Sequence, residues 1–222
     1  HSTSSAASDV YKRQNLDLPG VGENLQDHLQ VRSVYKVKNT VTLNQRANSL
    51  AGKALMGLEY FLFKTGPLTM PPSQLGAFAK SDPSQSSANI EWHVQPLSLE
   101  KFGDPLHTFN AITPSVCNLR PSSRGHVRIK SSNWHEYPSI TINYLSTEDD
   151  RRVAIDGLRF TRRIMAAKAL SRFEPEEWKP GPDFVHDEQL LQAAGDLGTT
   201  IFHPVGTCKM GKDNFCLLYT SD

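Results

Sequence analysis

The chain has 222 residues, 38% of them hydrophobic and 21% charged, with a formal net charge of +1. That apolar content is too high for a disordered chain, and the charge balance leaves no face-wide basic excess of the kind that nucleic acid selects. The cysteines at 117, 208 and 216 show no Cys-x-x-Cys spacing, which argues against a stapled fold, and no apolar run is long enough to cross a bilayer.

Both ends read as translated adaptor DNA. Ser8-Asp9-Val10-Tyr11-Lys12-Arg13-Gln14 translates one strand of a transposase adaptor, and Cys216-Leu217-Leu218-Tyr219-Thr220-Ser221-Asp222 translates its antisense strand. Folding does not produce that relation, so residues 1–14 and 216–222 are expected to be non-native and to say nothing about localisation. Their charges cancel, Lys12 and Arg13 against Asp9 and Asp222.

In chain order, 15–30 is punctuated by Gly, Pro, Asn and Asp and reads as a loop feeding a strand. The alternation Val31, Ser33, Tyr35, Val37 predicts that strand over 31–37. Leu50, Ala54, Leu58, Phe61 and Leu62 recur at helical spacing within 48–64, ahead of Gly66-Pro67, and predict an amphipathic helix. Residues 89–94 read as a buried strand. Residues 108–119 read as another, which Pro114 should confine to an edge or a bulge.

Residues 126–130 and 139–143 alternate around a turn and predict an antiparallel pair with Ile140 and Ile142 inward. Ser146 is the expected N-cap of a helix reaching about Ala167, with Ala154, Leu158, Thr161 and Met165 on one stripe. Asp187 should cap a shorter helix through Ala194 that Gly195 to Gly198 end, after which 199–202 runs extended into His203.

Three segments could carry chemistry. Gly20-Val21-Gly22-Glu23-Asn24-Leu25 begins like a dinucleotide fingerprint, but its third position is Leu25 and no strand of buried aliphatics precedes it. It reads better as a tight turn whose Asn24, Gln26, Asp27 and His28 hydrogen-bond local backbone. His203 lies between Phe202 and Pro204 with Gly206 close behind, a rigid strand-to-loop corner suited to a general base. On spacing alone, such a histidine is more often structural. His93 follows Trp92 on a strand, so the two point to opposite faces and either could line a pocket. No pair of histidines has metal-ligand spacing with cysteine or carboxylate support, so no metal is expected. A serine-hydrolase elbow is also absent.

Four collinear segments resemble the glucose-methanol-choline oxidoreductase family. They are Asp17-Leu18-Pro19-Gly20-Val21-Gly22-Glu23-Asn24-Leu25-Gln26-Asp27-His28, Asn118 to Val127 with its Arg120-Pro121-Ser122-Ser123-Arg124-Gly125 core, Asn143-Tyr144-Leu145-Ser146, and Phe202-His203-Pro204-Val205-Gly206-Thr207-Cys208-Lys209-Met210-Gly211. The flavour is that of the choline dehydrogenase-like and alcohol dehydrogenase-like branch. The resemblance implies an α+β fold, an antiparallel or mixed sheet flanked by helices, with a piece of the FAD domain at each end. It implies a loop of the FAD domain over 15–30, a substrate-binding domain over 31–198, and a return into the FAD domain over 199–215.

It further implies a flavoenzyme that oxidises a small-molecule alcohol by hydride transfer to FAD. His203 would be the catalytic base and His93 would hold the substrate oxygen, with Ile201 and Trp92 lining the pocket and Asn24, His203 and Pro204 meeting the cofactor. The family's main FAD motif and its second active-site His or Asn match nothing in this chain, so the chain alone is expected to be colourless and inactive. A cyanohydrin lyase on the same scaffold and a non-catalytic remnant are the alternatives. Trp92, Phe102, Phe109 and Glu91 could compose a cage for a quaternary ammonium, a reading the residues leave open, as they do the electron acceptor.

Overall fold

The computed structural model describes residues 18–211, so the adaptor-like ends, with 15–17 and 212–215, lie outside the described residues. In chain order the strands are β1 (Leu29–Arg32), β2 (Val34–Lys36), β3 (Leu75–Ala79), β4 (Ile90–Gln95), β5 (Ala111–Asn118), β6 (His126–Arg128), β7 (Ser139–Thr141), β8 (Glu176–Lys179) and β9 (Gly198–Thr200). The α-helices are α1 (Leu43–Asn48), α2 (Leu50–Phe63), α3 (Glu148–Met165) and α4 (Asp187–Leu197). Residues 30–119 with 152–199 form one compact unit, and the described parts of 1–29, 120–151 and 200–222 form another. The segment 120–151 lies in the smaller unit together with 18–29.

The larger unit is built on a seven-stranded sheet of order β3-β4-β5-β1-β9, with β2 joining β5 to β8. β5 is its centre rather than its edge, and Pro114 is accommodated by the opposing strand. Arg32 pairs with Ser115 and Tyr35 with Ile112, so Ser33 falls opposite Pro114. Proline has no N–H to offer the ladder there, and that is where β1 stops and β2 begins.

The two faces of this sheet differ in chemistry. Cross-strand partners share a face, so Trp92 and Val116 lie together, as do His93 with Ser115 and Glu91 with Cys117. The Trp92 face packs on α3: its indole Nε1 donates to Thr161 Oγ1 at 2.8 Å, its ring meets Phe160 at 4.9 Å, and Gly157 lets Val116 approach the helix. The opposite face carries Gln30, Gln95, Thr113, Ser115 and Cys117, all buried.

α2, α3 and α4 form where their spacing predicts, α1 was not anticipated, and two caps and one face differ. Thr147, one residue after Ser146, caps α3 through its Oγ1, which accepts from Asp150 N at 3.3 Å. At α4 the N-cap is His186, whose N–H donates to Gln189 Oε1 at 3.0 Å, and Gly195 lies inside the helix instead of ending it. The apolar stripe of α2 is not buried: Leu50, Leu58, Phe61 and Leu62 are all exposed, and only Met56 is enclosed.

In the smaller unit β6 and β7 pair as expected, with Val127 opposite Ile140, although Ile140 is exposed rather than inward. The Gly20-Val21-Gly22 turn is pinned beside this hairpin. Gly22 N donates to Thr207 O, its own carbonyl accepts from Val127 N, and a Cβ at Gly22 would sit 2.2 Å from Val127 O. The glycine thus serves backbone packing between three chain segments, in keeping with a structural turn.

Candidate active site

The smaller unit places His203 on a corner clamped by 26–28. Gln26 and Val205 exchange both backbone hydrogen bonds at 2.8 Å, and Ile201 N donates to His28 O at 3.3 Å. Between these ties the chain must turn sharply, and Phe202 takes up the turn at φ +64°, in the left-handed region that a bulky residue rarely enters. Gly206 follows at φ +98°, where a Cβ would lie 2.4 Å from Asn24 O.

Asp27 is the hub of the corner. It is 3% exposed; its Oδ1 accepts from His203 N at 3.0 Å, and its Oδ2 accepts from Thr200 Oγ1 at 2.6 Å and from the Tyr144 hydroxyl. Thr200 Oγ1 in turn accepts from Phe202 N at 2.8 Å. A buried carboxylate needs donors of this kind, and here each one fixes the backbone around His203 or the tyrosine beside it. Burial, together with the bond to Asp27, pushes the Tyr144 phenol well above its ordinary range, so it remains a donor.

The imidazole of His203 is exposed beside that of His28. The rings meet edge to face with centroids 5.5 Å apart, and the two Nδ1 atoms lie 3.5 Å apart, at the limit of hydrogen bonding. Two facing Nδ1 atoms are compatible when one carries a proton and the other a lone pair. If His203 carries it, its Nε2 is left as a base. Asn24 stands behind the corner with its carboxamide engaged at both ends: Nδ2 donates to Gly206 O at 3.1 Å and Oδ1 accepts from Arg124 Nε at 3.1 Å. Pro204 and Val205 are exposed next to His203, and Ile201 is half-buried.

His93 and Trp92 belong to the larger unit. Trp92 is 1% exposed and committed to the α3 face. His93 is on the polar face, its Nε2 buried, without a hydrogen bond, and 3.2 Å from Glu91 Oε1 in a geometry that brings charge but no directed bond. Burial and the neighbouring Glu91 carboxylate push the Cys117 thiol up to about 12. The four-residue ammonium cage does not assemble: Trp92 is in the core, Phe109 stacks on His107 and meets Trp178 edge to face, and Phe102 lies under the Arg32 guanidinium at 4.4 Å. An apolar cavity of about 440 Å³ opens on the α3 face between Val94, Pro114, Met165 and Phe173, and no titratable group lines it.

Sequence reasoning quoted Asp27, His28 and Tyr144 inside motifs but gave them no shared task, and it expected 24–28 to bond locally. Their partners are in fact 100 to 182 residues away. Glu91 and Cys117 were missed as neighbours of His93, because only the β4–β5 register brings them together.

Among solved structures the fold is shared with a variant of Aspergillus oryzae RIB40 formate oxidase, at a TM-score of 0.78 and 20% identity over 90% of this chain and 39% of that one. It is shared also with pyridoxine 4-oxidase from Mesorbium loti, at a TM-score of 0.71 and 24% identity over 91% and 36%. At these identities the likeness is one of fold. Residues 121–215 match the family model for GMC oxidoreductase, and the chain belongs to that family. It is 37% identical over 202 residues to an oxygen-dependent choline dehydrogenase of Escherichia coli, and 36% identical over 198 residues to an alcohol dehydrogenase [acceptor] of Pseudomonas putida. These alignments take in 91% and 89% of the chain, which spans 36% of the length of each relative.

Proposed function

We propose that the intact protein carrying this chain is an FAD-dependent oxidoreductase that oxidises an alcohol, with His203 taking the hydroxyl proton and His93 steadying the substrate oxygen. The observation that carries this reading is the Asp27 clamp: a buried carboxylate holds the backbone of His203 while the imidazole itself stays exposed. A structural histidine would have its ring buried, whereas this one is exposed and meets His28 at the limit of hydrogen bonding.

The corner also suits a flat cofactor. Phe202, at 67% exposure, and Val205, at 61%, add exposed apolar surface close to His203 in the chain. In this chain Asn24, His203 and Pro204 would meet FAD, which supplies the two-electron acceptor for the hydride. His203 Nε2 accepts the hydroxyl proton as the C–O bond becomes a carbonyl, a transfer that general bases accelerate by about 10²–10⁴-fold. His93 Nε2, buried and without a hydrogen bond, is suited to the substrate oxygen. Ile201 would crowd the reacting carbon. With the ammonium cage unassembled, uncharged primary alcohols are the substrates to test alongside choline.

The decisive assay adds a panel of alcohols anaerobically to the intact flavoprotein. Bleaching of the oxidised flavin by at least one of them is expected; cyanohydrin cleavage without bleaching would move the reading to a lyase. The 222-residue chain alone is expected to purify colourless, and stoichiometric flavin absorbance would contradict that.

A further inference from the structure

On the polar face of the sheet, His93 belongs to a cluster whose other members, Glu91 and Cys117, the alcohol-oxidising reading does not use. Glu91 and Cys117 are direct cross-strand partners, and His93 is two residues along from Glu91 on the same face. A carboxylate oxygen, an imidazole nitrogen and the thiol sulfur all lie within 4.8 Å of one another. Glu91 and His93 side chains keep 19% and 24% exposure, which leaves a path in, while Cys117 is buried at 2%.

We infer that Glu91, His93 and Cys117 form a binding site for a thiophilic divalent cation of the zinc class. Two ligands two apart on one strand and a third directly across from them converge on a point above the sheet. Tetrahedral zinc bonds of 2.0–2.3 Å set ligand atoms about 3.5 Å apart, a contraction that side-chain rotation supplies. The mixed S, N, O set selects zinc over magnesium or calcium, which take oxygen. Three protein ligands leave a fourth position for water or an anion, the pattern of an open site.

His93 Nε2 is the second indication. It is buried, makes no hydrogen bond, and lies 3.2 Å from Glu91 Oε1, an arrangement that costs stability unless something bridges the two. A divalent cation would, and its two charges offset those of the Glu91 carboxylate and the Cys117 thiolate. Arg32, on the same face, turns its Nη2 to Gln95 Oε1 at 3.1 Å. Forming the Zn–S bond releases the Cys117 proton to solvent. The cation would occupy the nitrogen proposed to steady the substrate oxygen, so it should inhibit turnover. The site itself is read without turnover, and its failure leaves the oxidoreductase reading intact.

The test titrates the full chain with Zn²⁺ by calorimetry and with Co²⁺ by absorbance, with Cys208 and Cys216 both changed to Ser to remove other thiols. One equivalent of Zn²⁺ and a thiolate-to-cobalt charge-transfer band are expected. Cys117→Ser should abolish the band, and Glu91→Gln should weaken Zn²⁺ binding more than about 100-fold, beyond the usual effect of losing an outer-shell partner. No stoichiometric uptake, or a band that survives Cys117→Ser, would overturn the site. Should Cys117→Ser fail to fold, unchanged Zn²⁺ affinity in Glu91→Gln would overturn it equally.

Discussion

Asp27 joins two things that sequence presents separately, a polar loop residue and a histidine 176 positions later. His203 itself was legible, because Pro204 and Gly206 mark a rigid corner and the motif around it is specific. The clamp was not, because no local pattern reports which distant backbone N–H a carboxylate will accept from. Replacing Asp27 by Ala leaves Tyr144, Thr200 and His203 N without their acceptor, and removal of one partner from buried groups costs about 1–3 kcal/mol each. Denaturant unfolding of the Asp27→Ala chain should therefore show a loss of at least about 2 kcal/mol; a midpoint matching the parent would mean that the hub is not structural. Phe202 gives a finer test. Its left-handed backbone costs of order 1–3 kcal/mol that glycine does not incur, and its side chain is mostly exposed. Phe202→Gly is expected to unfold no more easily than the parent. A clear destabilisation would show that the ring contributes more than its exposure suggests.

At the scale of elements, periodicity located strands and helices well and burial less well. α3 shows the method at its best: of Ala154, Leu158, Thr161 and Met165, placed on one stripe, the last three are buried and Ala154 is half-buried. α2 shows its limit, since an apolar stripe says that a helix can bury a face without saying that a partner is present. The contrast is measurable. Leu158→Ala should cost about 2–5 kcal/mol as a core truncation, whereas Phe61→Ser, at a position 74% exposed, should change stability by less than about 0.5 kcal/mol. Equal costs at the two positions would show that α2 is packed in solution. Pro114 was misjudged for a physical reason as well: a missing N–H can be tolerated in a central strand when the opposing strand breaks at the same level, as β1 and β2 do. The polar sheet face was invisible for the same kind of reason. Glu91, His93 and Cys117 share a side only once β4 and β5 are in register.

For the whole molecule, burial of ionisable groups sets the alkaline limit. Burial, then the charge of Glu177, raises the Tyr35 phenol; burial, then the bond to Asp27, raises that of Tyr144; and burial and Glu91 push the Cys117 thiol up to about 12. Each group is neutral in the fold at a pH where the unfolded chain ionises it. The stability they contribute is thus full below the unfolded values, about 8.5 for a thiol and 10 for a phenol, and is lost as pH rises toward the folded ones. Unfolding midpoints should hold level to about pH 8 and then fall steadily through pH 9–11; a flat profile to pH 11 would contradict the burial of these groups. The chemistry proposed for the intact protein rests on one imidazole held on a clamped corner. The measurement that tests this most directly is the flavin-reduction rate of the intact protein carrying His203→Ala, at matched flavin content, with its best alcohol. The account predicts a loss of about 10²–10⁴-fold with flavin retained; reduction at the parent rate would contradict it.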